Sequence, residues 1–283
     1  PASTGIVRNS DGVNDSSAEL VGTTGPGASP ARCMGTTLVD WIRARYPEAR
    51  VLAVSRKDRS SILMVGNSRS PVFWFSGGRF TTSRYYADTL PVWVRAINAE
   101  VGAWHAPGDA WDLMLPAARY PEADSVPWEH GGRDVAFPHR VAPPSVTAPG
   151  NGLNVVDTPY MDSLTLAFAL RGIEATGLGS GPAPDVLALG LSSGDAVGHG
   201  WGPDSRELRD QVLRLDRWLG VFLDSLAKLR DPAGTLIVLT ADHGITSYPE
   251  AMRANGHPGA GYVVVDTVIS AWQYALEDRL GSG

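Results

Sequence analysis

Four side chains in the second half of the chain have the types and spacing to hold metal ions. Asp195 and His199 stand four residues apart in Ser192-Ser193-Gly194-Asp195-Ala196-Val197-Gly198-His199, directly behind an apolar run ending at Leu191. Asp242 and His243 are adjacent in Asp242-His243-Gly244, directly behind a second apolar run ending at Thr240. If a helical turn follows Leu191, Asp195 and His199 share one face and reach one ion. Carboxylate with imidazole suits Zn²⁺, and two such sets close together suit a two-metal site for phosphoryl transfer. Gly194, Gly198, Gly200 and Gly244 permit tight turns and close backbone approach around them. A lone Asp-His pair after a strand is more often a turn or capping device; two pairs, each behind a buried run, tip the balance toward metal.

The elements that must position these groups follow from periodicity. Residues 1–31 are rich in Gly, Ser, Thr and Asn and read as loop. Leu38, Trp41, Ile42 and Tyr46 predict a helix over 36–46. Apolar runs predict strands at 51–54, 61–65 and 72–75, and Val92, Trp93, Ala96 and Ile97 a helix over 90–101. Residues 102–153 scatter Trp104, Trp111 and Trp128 among Pro and Gly, and read as an insertion or cap over the core. Thr158-Pro159 opens a helix to about Arg171, and 185–191 is a buried strand. Asp204-Ser205-Arg206-Glu207 has the form of a capping box. The helix behind it carries Leu208, Val212, Leu215, Leu219, Phe222, Leu226 and Leu229 as one stripe. Residues 235–240 read as another buried strand, 262–265 as one more, and 267–280 as a final helix. Alternating strands and helices predict an α/β fold with a mainly parallel sheet and helices on both faces, in a single domain over 1–283. In such sheets ligands bind beyond the carboxyl ends of the strands, where both Asp-His sets fall.

The segments Asp195-Ala196-Val197-Gly198-His199-Gly200-Trp201-Gly202-Pro203 and Leu239-Thr240-Ala241-Asp242-His243-Gly244 resemble the alkaline phosphatase superfamily. The spacing between them leaves room for one helix and one strand, as in that fold. Ser55-Arg56-Lys57-Asp58-Arg59 narrows the resemblance to the PafA-type, phosphate-irrepressible alkaline phosphatases, as do Phe73-Trp74-Phe75, the segment 78–86 and Thr158-Pro159-Tyr160. The resemblance implies that Asp195 and His199 bind one zinc and Asp242 and His243 the other. It implies that Lys57 and Arg59 hold phosphate oxygens, Lys as a point charge and Arg as a fork. Lys57 and Lys228 are the only two lysines in a chain that otherwise spells its positive charge as Arg. Gly5-Ile6-Val7-Arg8-Asn9 resembles the family segment that supplies an Asn to the phosphate, which makes Asn9 a further phosphate ligand, with Asp11 and Asn14 as alternatives. A solvated turn remains the plain alternative for Lys57-Asp58-Arg59, and a loop turn for Asn9.

The family pattern also needs a Thr or Ser nucleophile upstream of Gly5, an Asp ligand further upstream, and a third His well downstream. Thr4 stands where the family has His, and His257 lies too close behind His243. The expectation is therefore a fragment truncated at both ends. The activity implied is zinc-dependent hydrolysis of phosphate monoesters through a covalent phospho-enzyme. The alternatives are a nucleotide pyrophosphatase/phosphodiesterase of the same superfamily and a non-catalytic relative that binds metal or phosphate. A cofactor-independent mutase needs further His and Asp ligands that the chain does not offer.

Bulk properties bound the rest. The 283 residues, 43% hydrophobic and 19% charged, suffice for a packed domain. A net charge of −6 gives no basic footprint for nucleic acid, and the small phosphate ester expected as partner is what the resemblance implies. No apolar run is long enough for a membrane span. Cys33, the single cysteine, reads as a small buried residue and excludes an internal disulfide. The 32 glycines and 21 prolines predict long irregular connections. A periplasmic or secreted location is implied by the resemblance alone.

Overall fold

The computed structural model describes residues 12–146, 150 and 152–281. The chain divides into two compact units, 1–243 and 244–283.

The first unit contains β1 (Leu20–Val21), α1 (Leu38–Arg45), β2 (Val51–Ser55), α2 (Asp58–Val65), β3 (Val72–Ser76), β4 (Arg79–Ser83), α3 (Val92–Gly102), β5 (Ala110–Trp111), β6 (His139–Arg140), α4 (Tyr160–Thr176), β7 (Val186–Gly190), α5 (Ser193–Trp201) and α6 (Arg206–Leu229). The main sheet has the order β1-β4-β3-β2-β7. Its centre is parallel, with β2 between β3 and β7, and its far edge turns antiparallel through the β3–β4 hairpin. The α/β class is as expected, and the sheet is mixed.

Alternation along the strands builds a core on each face. Leu52 and Val54 of β2 and Phe73 and Phe75 of β3 join Phe168, Ala169 and Ile173 of α4. Val51, Ala53, Val72 and Trp74 point the other way and pack with Val39 of α1 and Ile62 and Val65 of α2. Helices therefore cover both faces. Each large apolar side chain so buried contributes about 1.5–3 kcal/mol.

Several sequence expectations need correction. Residues 61–65 form the end of α2 instead of a strand. Ser61, Ile62 and Val65 are buried while Leu63 is exposed, a helical spacing that a short apolar run conceals. In α1 the buried residue is Val39, and Leu38 and Trp41 face outward. The α6 stripe is interrupted: Phe222 is buried and Val212 exposed, and the first turns bury Glu207, Asp210 and Gln211 instead. The capping box does not form as expected. Ser205 is the N-cap, accepting from the Leu208 N–H at 3.0 Å, and Glu207 goes elsewhere. Cys33 is only partly buried.

The largest departure is at 235–240, which is not a strand. Leu236, Ile237, Val238 and Leu239 are exposed, and no described strand pairs with them: the sheet ends at β7, which pairs only with β2. An extended run without a hydrogen-bonded neighbour is no strand, however apolar.

The second unit holds α7 (Pro249–Ala254) and α8 (Val265–Leu280). The expected strand at 262–265 is absent among its described residues. Tyr262 instead donates its hydroxyl to Glu250 at 2.8 Å, and Glu250 also pairs with Arg253 at 3.1 Å.

Candidate active site

Two parallel strands bring the chemistry together. Since β2 and β7 pair with Ser55 opposite Gly190, their carboxyl ends lie side by side. Lys57 follows β2 as the N-cap residue of α2, and α5 follows β7. Gly190 is required at this crossing: a Cβ there would sit 2.5 Å from Ser55 Oγ and 2.7 Å from Ser55 Cβ. The two chain ends are further joined by Ser55 Oγ and Ser192 Oγ at 3.4 Å, and by the Lys57 N–H donating to Ser55 Oγ at 3.3 Å.

In α5, Val197 and Trp201 are buried. Asp195 and His199, each two positions earlier, therefore project from the opposite face. The start of this helix is tied to α4 by Asp162, which is 1% exposed. Asp162 Oδ1 accepts from the Ser193 N–H at 3.1 Å, and the Asp162 N–H donates to Ser193 Oγ at 3.2 Å. Gln211 of α6 donates to Asp162 Oδ2 at 2.9 Å. Burial pushes the Asp162 carboxyl up to about 6, against the hydrogen bonds from Ser193, Ser192 and Gln211 that pull it down. Sequence inspection missed Asp162 and Gln211 because no motif marks them, and gave Ser193 no role beyond its place in the Asp195 segment.

Asp195 is the hub. Its Oδ1 lies 3.4 Å from His199 Nε2 and 3.8 Å from His243 Nε2, and its Oδ2 accepts from the Lys57 ammonium. Burial works to raise the Asp195 carboxyl. The Lys57 hydrogen bond and charge, with His199 and His243 beside it, outweigh burial and hold it below the usual carboxylate range. His243 Nε2 also stands 3.5 Å from Asp242 Oδ2, and Asp242 is 88% exposed where Asp195 is 23% exposed. The four expected donors thus gather at one place, with His243 leaning on Asp195 as well as on its neighbour.

As placed, no group of three or more His, Cys, Asp or Glu among the described residues closes around an ion position. The donor chemistry nevertheless fits a metal. One carboxylate oxygen faces two imidazole nitrogens, and the other already carries a cation.

Beside this hub opens a cleft of about 690 Å³. Lys57, Asp58 and Arg59 line one end, and Trp74, Asn14 and Val156 line other parts of it. The Arg59 guanidinium makes no hydrogen bond or ion pair to any described residue, whereas Arg56 is engaged with Asp157 at 2.9 Å. Arg59 is thus a fork of donors open to an anion. Asn9 and Asp11 lie outside the described residues; Asn14 lines the cleft.

The type I phosphodiesterase / nucleotide pyrophosphatase family model matches residues 1–269. The alkaline phosphatase PafA of Elizabethkingia meningoseptica is 34% identical over 264 residues, covering 89% of this chain and 48% of that protein. The alkaline phosphatase PhoV of Synechococcus elongatus is 36% identical over 257 residues, covering 87% and 46%. The crystal structure of wild-type PafA superimposes with a TM-score of 0.82 at 31% identity, covering 96% of this chain and 53% of that one. The chain therefore spans about half the length of the relatives it matches.

Proposed function

The chain belongs to the type I phosphodiesterase / nucleotide pyrophosphatase family, within the alkaline phosphatase superfamily, and on that premise we propose that it hydrolyses phosphate monoesters in the cleft beside Asp195. The observation that carries this reading is the pair of cations at the end of β2. Arg59 is open to an anion, and Lys57 is within reach of the carboxylate-imidazole hub. A monoester presents two charged non-bridging oxygens, a diester one, so two adjacent cations favour the monoester.

In this reading Asp195, His199, Asp242 and His243 hold zinc ions. When bound, zinc neutralises charge on the reacting oxygens and makes water a competent nucleophile near neutral pH. The remaining work falls to the chain itself. Arg59 grips two phosphate oxygens, Lys57 balances their charge, and the cleft holds the alcohol part of the ester. Phosphoryl transfer depends chiefly on such positioning and charge stabilisation. The reaction passes through a phosphoryl group carried on a protein hydroxyl, which water then releases. No described residue is assigned as that nucleophile. A site outside the cytoplasm belongs to the same reading; among the described residues no helix is long and apolar enough to cross a membrane.

The second reading is a diesterase, favoured by the description of the matching family model. Turnover of p-nitrophenyl phosphate and of bis-p-nitrophenyl phosphate by the full-length protein and by Arg59→Ala separates the two. Losing one transition-state donor is expected to cost the monoester about 10²–10³ in kcat/KM, and the diester far less. Equal losses on both substrates would remove Arg59 as the group that selects monoesters.

A further inference from the structure

Lys57 and Arg59 stand two residues apart in the same turn but are in different states. The Arg59 guanidinium makes no hydrogen bond or ion pair to any described residue, while the Lys57 ammonium sits on Asp195 Oδ2. The backbone of Lys57 is fixed. Its N–H donates to Ser55 Oγ at 3.3 Å, and its carbonyl accepts from the Ser61 N–H at 3.3 Å. Its side chain is a flexible four-carbon stem carrying a compact charge. The ammonium can therefore change partner without any movement of β2 or α2.

Asp195 is the most buried carboxylate of the donor set, and its other oxygen already faces His199 and His243. A divalent cation on Asp195 would stand beside the ammonium, and two cations sharing one half-buried carboxylate repel. We infer that Lys57 is a two-position cation. It neutralises Asp195 while the metal is away, is displaced when a metal binds, and then turns to the phosphate beside Arg59. This rests on the reading above that Asp195 is a metal ligand and that the cleft takes phosphate. Metal loading and completion of the anion pocket then become one coupled event, and the coupling is reciprocal.

Zinc affinity measured by competition with a chromophoric chelator, without substrate turnover, tests this on the full-length protein. The proteins compared are the wild type, Lys57→Met, Lys57→Arg and Arg59→Ala. Without phosphate, Lys57→Met removes the competitor and is expected to bind zinc roughly five- to hundredfold more tightly than the wild type. Lys57→Arg keeps a cation and stays near the wild type. Inorganic phosphate is expected to tighten zinc binding in the wild type and to do so much less in Lys57→Met. Arg59→Ala should weaken the effect of phosphate on zinc binding. Unchanged or weaker zinc binding by Lys57→Met, with a wild type that does bind zinc, overturns the two-position role and leaves the proposed function standing. Absence of zinc binding by the wild type overturns both.

Discussion

At the scale of single residues the candidate site depends on a carboxylate enclosed between α4, α5 and α6. Asp162 is enclosed, and its partners Ser193 and Gln211 are neutral. Burial therefore favours its protonated form, with a carboxyl pushed up to about 6 from an unfolded value of 3.8. The stability this group contributes is complete below about 3.8 and is lost as pH rises through about 6. Asp162→Asn removes the titration but keeps the shape, and the Gln211 amide, turned over so that its unpartnered Oε1 takes the place of Nε2, can accept from the new amide. The variant is expected to match the wild type near pH 4 and to gain on it by up to about 3 kcal/mol by pH 7. Urea melts at both pH values measure this, and a stability difference that does not change with pH would refute it.

At the scale of elements, what matters is how closely β7 approaches β2. Their carboxyl ends meet where Gly190 faces Ser55, and a single methyl added there collides with a buried side chain. Gly190→Ala is expected to cost about 1–3 kcal/mol through overpacking. The strain would be relieved by moving the end of β7, and with it Ser192, Ser193 and the first turn of α5. On the proposed reading of Asp195 as a zinc ligand, zinc affinity should therefore fall alongside stability. A destabilised variant that binds zinc as tightly as the wild type would show that α5 is held from α4 and α6 alone. The same dependence on neighbours applies to 235–240: hydrophobicity put that segment among the strands, but a strand exists only through its neighbour, and among the described residues that segment pairs with none.

At the scale of the molecule, the loop-rich stretch between α3 and α4 is attached to the helices behind the site by buried charge. His139 is fully buried between Glu207 of α6, 3.0 Å from Nε2, and Asp134, 3.0 Å from Nδ1. Burial opposes a charge on this imidazole, but the two carboxylates outweigh it and raise it above 6.5. Glu129 nearby is pushed up to about 8, first by burial and then by the charges of Glu207 and Asp124. The stability from the His139 imidazolium is complete below 6.5, and that from neutral Glu129 below 4.5. Both are lost as pH rises through the raised folded values. Thermal melts should therefore show the wild type losing stability between about pH 4.5 and 8, and Glu129→Gln losing less. Parallel curves for the two proteins would mean that Glu129 does not titrate in this range.

The sequence alone determined the α/β class, the two Asp-His pairs and their setting behind apolar runs, because periodicity records which side of an element is buried and a motif records chemical type. It also singled out Lys57 and Arg59. Only the tertiary structure decided that His243 leans on Asp195 as well as on Asp242, that Lys57 sits on the Asp195 carboxylate while the Arg59 guanidinium stands open, and that Asp162, Gln211, Glu207 and His139 are buried polar groups. The same limit produced the errors at 61–65, 235–240 and 262–265. Burial patterns say that a side chain turns inward, but which group it meets there, and whether a strand finds a ladder, depends on neighbours distant in the chain.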